Sequence, residues 1–150
     1  MKEGYICEKT IIKKFASIVL IIICCLSLSL SVYAASSHTY KSTLAFQGEH
    51  TGATRTYRYQ NISYSATVSS YIGKNKVYES SSYPKTYSVS LYRKTGWFSS
   101  EKIGSKSLSR YKSGSAKWTN VGKGDYYFYF TKARDGVTVK SSNVVMKSYS

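Results

Sequence analysis

The chain has 150 residues, 42% hydrophobic and 19% charged, with 22 Lys and Arg against 7 Asp and Glu, a formal net charge of +15. That length fits one secreted or soluble domain, and the apolar fraction is too high for a disordered chain. With 3 Cys, 2 His and so few carboxylates, there is little from which to build a metal centre or an acid–base pair.

The chain opens with Lys2, Lys9, Lys13 and Lys14, and residues 15–30 are then apolar apart from Ser and small Ala. A basic stretch ahead of an apolar one is the pattern of an export signal. Val32 and Ala34 supply the small side chains that a signal peptidase needs, so residues 1–34 are read as a cleaved signal peptide and residues 35–150 as a single secreted β-domain, bacterial in character. A spanning helix needs about 20 apolar residues, and this run is shorter and diluted by Ser27, Ser29 and Ser31. Ile22 and Ile23 are too bulky ahead of Cys24 for a lipid-modified cysteine.

Cys7, Cys24 and Cys25 all fall in the segment read as removed. The mature domain is therefore expected to be disulfide-free and held by its own core, for which about 115 residues suffice, burying roughly two thirds of the unfolded surface. It would keep 18 Lys and Arg and 5 Asp and Glu, a net charge of +13.

Leu44 and Phe46 share one face of a first short strand, residues 48–52 read as a turn, and residues 54–59 as a second strand. Ile62, Tyr64, Ala66 and Val68 then alternate strictly with Ser63, Ser65, Thr67 and Ser69, the signature of a strand with one dry and one wet face. Residues 73–76 form a turn, Val77 and Tyr78 a short strand, and residues 80–84 a loop. Tyr87, Val89 and Leu91 alternate with Ser88, Ser90 and Tyr92 in another strand. Residues 93–100 read as a loop, residues 113–115 as a Gly-Ser turn, and residues 126–130 as the most aromatic strand. Arg134-Asp135-Gly136 is a turn signal leading to Val137 and Val139, with residues 143–146 as a last apolar run.

No stretch after residue 34 repeats apolar residues at helical spacing. About eight short strands with regular turns predict an all-β domain, an antiparallel two-sheet β-sandwich of jelly-roll-like outline, with a small β-barrel as the alternative. The alternating residues 87–92 and the later Gly124-Asp125-Tyr126-Tyr127-Phe128 resemble in outline the jelly-roll modules appended to secreted bacterial hydrolases, a resemblance that implies fold alone.

Five carboxylates remain after residue 34, Glu49, Glu79, Glu101, Asp125 and Asp135, and glycoside hydrolysis would need two facing one another. Asp125 and Asp135 flank a predicted strand and hairpin, where turn formation is their expected job. No serine lies in a Gly-x-Ser-x-Gly sequence, His38 and His50 are the only bases of their kind, and zinc, phosphate-loop and calcium-loop spacings are absent. The chain is read as non-catalytic, without cofactor or metal.

Its surface carries the expected function. Alternation sends Tyr126, Phe128 and Phe130 to the core and Tyr127 and Tyr129 to the opposite face. Those two either stack on sugar rings beside cations or pack as ordinary cross-strand pairs. Trp97 and Phe98 follow Gly96 between Arg93, Lys94 and Lys102, a place from which aromatics reach a ligand or a membrane interface, or fold back to plug the sandwich. The leading expectation is a secreted cationic binding protein on anionic cell-envelope, matrix or glycan polymers. The alternatives are a bacteriocin-like antimicrobial protein acting on membranes, and a non-specific extracellular nucleic-acid binder.

Overall fold

The computed structural model describes residues 36–150, all strand and connection without helix. The export-signal reading falls on residues 1–34 and lies outside the described residues. Ten strands follow in order: β1 (Ser37–Phe46), β2 (Glu49–Thr51), β3 (Arg55–Tyr57), β4 (Asn61–Ile72), β5 (Asn75–Val77), β6 (Thr86–Lys94), β7 (Ser100–Ser109), β8 (Ser113–Trp118), β9 (Gly124–Thr131) and β10 (Thr138–Tyr149).

They form two antiparallel sheets of five strands each, a β-sandwich rather than a closed barrel. Sheet A runs β1-β10-β4, and β4 pairs along its other edge with β8 over its first half and with β5 at its end. Sheet B runs β7-β6-β9, and β9 pairs in turn with β3 and β2.

The period-two pattern of β4 explains why it lies inside sheet A. Ile62, Tyr64, Ala66 and Val68 are buried while Ser63, Ser65 and Thr67 face out, so the strand has a dry side for the second sheet and a wet one for solvent. From sheet A, Trp118 and Tyr64 meet Phe128 of sheet B with ring centroids 5.7 and 5.6 Å apart, and Phe46 meets Tyr87 at 5.9 Å. The Tyr64 and Tyr87 hydroxyls lie 3.2 Å apart across the interior, satisfying one another, and burial pushes both phenols above their ordinary range. Gly104 lets β7 close on this core: a Cβ there would stand 3.3 Å from Trp118 Nε1.

Several segments are more extended than their composition suggests. Residues 113–115 lie inside β8, paired with β4, and not in a turn. The polar residues 100–107 belong to β7, an edge strand bonded only to β6, where a run with little apolar content can still form a ladder. Glu49 to Thr51 form β2 where a turn is expected. Val139 and the apolar run at residues 143–146, expected apart, fall in one strand, β10, interrupted by a bulge between Lys140 and Asn143 that restores its alternation.

The least legible feature is ionic. Arg110, just beyond β7, has a side chain with 0% exposure and donates from Nη1 and Nη2 to Asp135 Oδ2 and Oδ1 at 2.6 and 3.3 Å. Lys132, equally buried, donates to the same carboxylate at 2.7 Å and to the carbonyls of Gln47 and Ala133. Asp135 also accepts the Val137 N–H at 3.1 Å, the turn role expected of it. Burial alone would raise the Asp135 pKa, but the bonds from Arg110, Lys132 and Val137 outweigh it and hold the carboxyl well below the usual range.

A group whose folded pKa is depressed adds stability above its unfolded pKa of about 3.9 and loses it as pH falls. Asp135→Asn should therefore destabilise the domain at pH 7 by about 3–5 kcal/mol, because it strands buried cations. In denaturant titrations the gap to the parent should narrow steadily below about pH 4; a gap independent of pH would show that the carboxylate charge is not what matters.

Candidate functional site

The outward face of sheet B holds the predicted tyrosines. Register places Lys102, Tyr92 and Tyr127 in one row across β7, β6 and β9, with Ser105, Ser90, Tyr129 and Thr51 in the next. Tyr92 and Tyr127 stack with centroids 5.2 Å apart and planes 9° apart, and Tyr129 meets Tyr92 edge-on at 6.1 Å. Stacking uses one ring face of Tyr127, so these side chains support one another as cross-strand neighbours and offer a ligand only their outer surfaces. Tyr129 donates its hydroxyl to Glu49 Oε2 at 2.5 Å; that bond is the first cause of its raised pKa, with slight desolvation and the carboxylate charge adding to it.

Trp97 and Phe98 occupy the apex of the β6–β7 hairpin, 92% and 100% exposed, so they do not plug the sandwich. Lys94 and Lys102 stand at its base. Arg93 leaves the group: its guanidinium turns to the Lys123 carbonyl, 3.1 Å from Nη2, and lies 5.8 Å from the Tyr126 ring on the core side. Of the predicted site residues, the fold thus brings Tyr127, Tyr129 and Lys102 onto one face with the unforeseen Tyr92, gathers Lys94, Trp97 and Phe98 at its end, and at that same end turns the Arg93 guanidinium to the Lys123 carbonyl.

A second surface carries no aromatic pair and is marked by charge. The five strands of sheet A contain no Asp or Glu, and they carry Lys41, Lys76, Lys117, Lys140 and Lys147. Each lysine alternates with inward residues or pairs with an outward one: Lys147 with Thr39 and Ser63, Lys117 with Ser63, Lys41 with Val145, Lys140 with Ala45 and Ser69, Lys76 with Tyr71. The strands of sheet B, by contrast, carry Glu49, Glu101 and Asp125 beside five cations. The charge is therefore segregated.

Between the lysines the face of sheet A is lined with hydroxyls and amides. Two adjoining shallow grooves share Thr67 and Asn143; one adds Ser65, Ser113 and Ser115, the other Ser69, Tyr71 and Lys140. Thr67 and Ser113 hydroxyls bond across the strands at 2.9 Å, and Lys140 Nζ sits 5.5 Å from the Tyr71 ring centre. The sequence carries the signal: the serines of β4 and β8 mark the outward side, and the absence of acids sets these five strands apart.

No protein-family model matches the chain, and no curated protein does. Among solved structures it is similar to the crystal structure of the Yersinia pseudotuberculosis-derived mitogen, at 15% identity and a TM-score of 0.36, over 75% of this chain and 84% of that one. The likeness is loose and says nothing of function. Among the described residues, no group of three or more His, Cys, Asp or Glu is placed to hold a metal ion.

Glu49→Gln should bring the Tyr129 pKa down, since its acceptor would no longer be charged. Carbon-13 NMR of the tyrosine Cζ resonances through alkaline titration reads this directly, and an unmoved Tyr129 would mean that the bond to Glu49 does not persist in solution.

Proposed function

We propose that the domain is a secreted, non-catalytic binding protein that attaches to anionic cell-envelope, matrix or glycan polymers through the outward face of sheet A. The observation that carries this reading is the set of five lysines, carried by β1, β5, β8 and β10, on a sheet whose five strands hold no carboxylate. Charge kept for solubility alone would be interspersed with acids, as on sheet B. A face of one sign attracts a polyanion over a Debye length and holds it by releasing its counterions.

The layout suits an extended polymer better than a small ion. Lys147 and Lys117 lie in one row, two strand spacings or about 9.5 Å apart. Lys140 stands further along β10, so successive negative groups meet separate ammoniums. Serine, threonine and asparagine between them donate to sulfate or phosphate oxygens and accept from sugar hydroxyls. Nothing here fixes a single ligand shape, which favours recognition of a charged chain over one residue of it.

Binding to heparin and to poly(glycerol phosphate) should weaken steeply with salt, with uncharged dextran not retained. Replacing Lys117 and Lys147 with Ser should flatten the slope of log affinity on log salt by about 0.7 per lysine, as for counterions released from single strands. The paired change of Lys102 and Lys106 to Ser on β7 should do less. Equal losses from both pairs, or affinity indifferent to salt, would overturn the assignment to this face.

A further inference from the structure

The hairpin apex stands apart from the lysine face and has its own chemistry. Trp97 and Phe98 are almost wholly exposed, yet the apex beneath them is tightly made. Thr95 N–H donates to the Ser99 carbonyl at 3.2 Å, Thr95 Oγ1 to Ser99 Oγ at 3.0 Å, and Lys94 Nζ to the Trp97 carbonyl at 3.3 Å. A Cβ on Gly96 would come within 2.8 Å of Ser99 Oγ, so a larger residue there would turn the Ser99 side chain away from its bond with Thr95. Two large rings are thus held outward on a bonded support, resting on nothing.

Below them the charge is mainly positive. Lys94 and Lys102 flank the hairpin base, and the bond from Arg93 to the Lys123 carbonyl brings Lys123 to the same end. Glu101 and Asp125 are the acids there, and the Asp125 carboxylate accepts the Thr56 hydroxyl at 2.6 Å. Aromatic rings over cations match the layering of an anionic bilayer, in which indoles rest at headgroup depth and lysines meet phosphates. A protein partner fits less well, because a stable interface needs about 800 Å² from each side, and two protruding rings with Thr95, Ser99 and Ser100 as shoulders offer far less.

We propose that the β6–β7 apex, Trp97 and Phe98 above Lys94, Lys102 and Lys123, seats the protein on an anionic lipid surface. Attachment there is separate from polymer binding by sheet A, and either can fail without the other.

The chain has two tryptophans, Trp97 and Trp118, of which Trp118 is buried, so fluorescence reports the apex. With vesicles of phosphatidylcholine and phosphatidylglycerol, emission of the full chain should shift to the blue and be quenched by brominated acyl chains. Trp97→Ser should abolish both changes while near-ultraviolet dichroism confirms the fold. Lys94→Ser with Lys102→Ser should weaken the Trp97 response roughly thirty-fold in lipid concentration, and phosphatidylcholine vesicles should give a far weaker one. Soluble glycerol phosphate should not shift the emission, separating lipid from free phosphate. If Trp97 emission is unmoved by anionic vesicles, or the Trp97→Ser chain is quenched like the parent, the proposal is overturned and the apex returns to a protein partner. Heparin retention of Trp97→Ser, expected at parental strength, keeps this outcome distinct from failure of the polymer reading.

Discussion

One carboxylate organises an end of the sandwich. Asp135 sits in the β9–β10 connection and receives Arg110 from the β7–β8 connection and Lys132 from the end of β9. The same two residues bind through their backbones as well: Arg110 N–H to the Lys85 carbonyl at 3.1 Å, Lys132 N–H to the Gly48 carbonyl at 2.8 Å, and the Arg110 carbonyl takes the Ser70 hydroxyl at 2.7 Å. Strands β4, β6, β9 and β10 are all fixed near one ionic cluster. Buried cations in a protein this basic would otherwise repel one another, and only a carboxylate accepting from both makes their burial tolerable.

This arrangement relates the distribution of acid to the distribution of function. Of the five acids in residues 35–150, Asp135 is committed to the interior, while Glu49, Glu101 and Asp125 lie on sheet B and Glu79 lies in the β5–β6 connection. None is left for sheet A. The uncompensated lysines there are a direct result of where a scarce resource is placed, and they need no special residue to create them.

The fold was legible because its inner strands alternate cleanly. In β4 and β6 the period of two gives face, strand and layer together, and β9 adds the aromatic half of the core. The edges were less legible. β7 and β8 are rich in Ser, Lys and Gly, residues that signal turns locally, and their extended form is imposed by partners β6 and β4, which the local sequence does not show. The Arg110–Asp135 pair spans 25 residues and has no periodic trace. At the site, the outward direction of Tyr127 and Tyr129 followed from alternation, but the stacking partner Tyr92 and the departure of Arg93 depend on the cross-strand register of β6 with β9, and Lys102 joins the Tyr92 row only through the bulge at Ile103 of β7. The lysine face was hidden for a different reason, because its members come from four separated stretches of chain.

The direction of the β6–β7 hairpin gives the molecule a posture. The apex lies beyond the end of sheet B where β6 finishes and β9 begins, the end opposite Asp135. A domain touching a surface by this apex would stand on edge. Sheet A would then rise like a wall from that surface, its lysines open sideways to whatever chains project alongside, and the connections around Asp135 would form the upper rim.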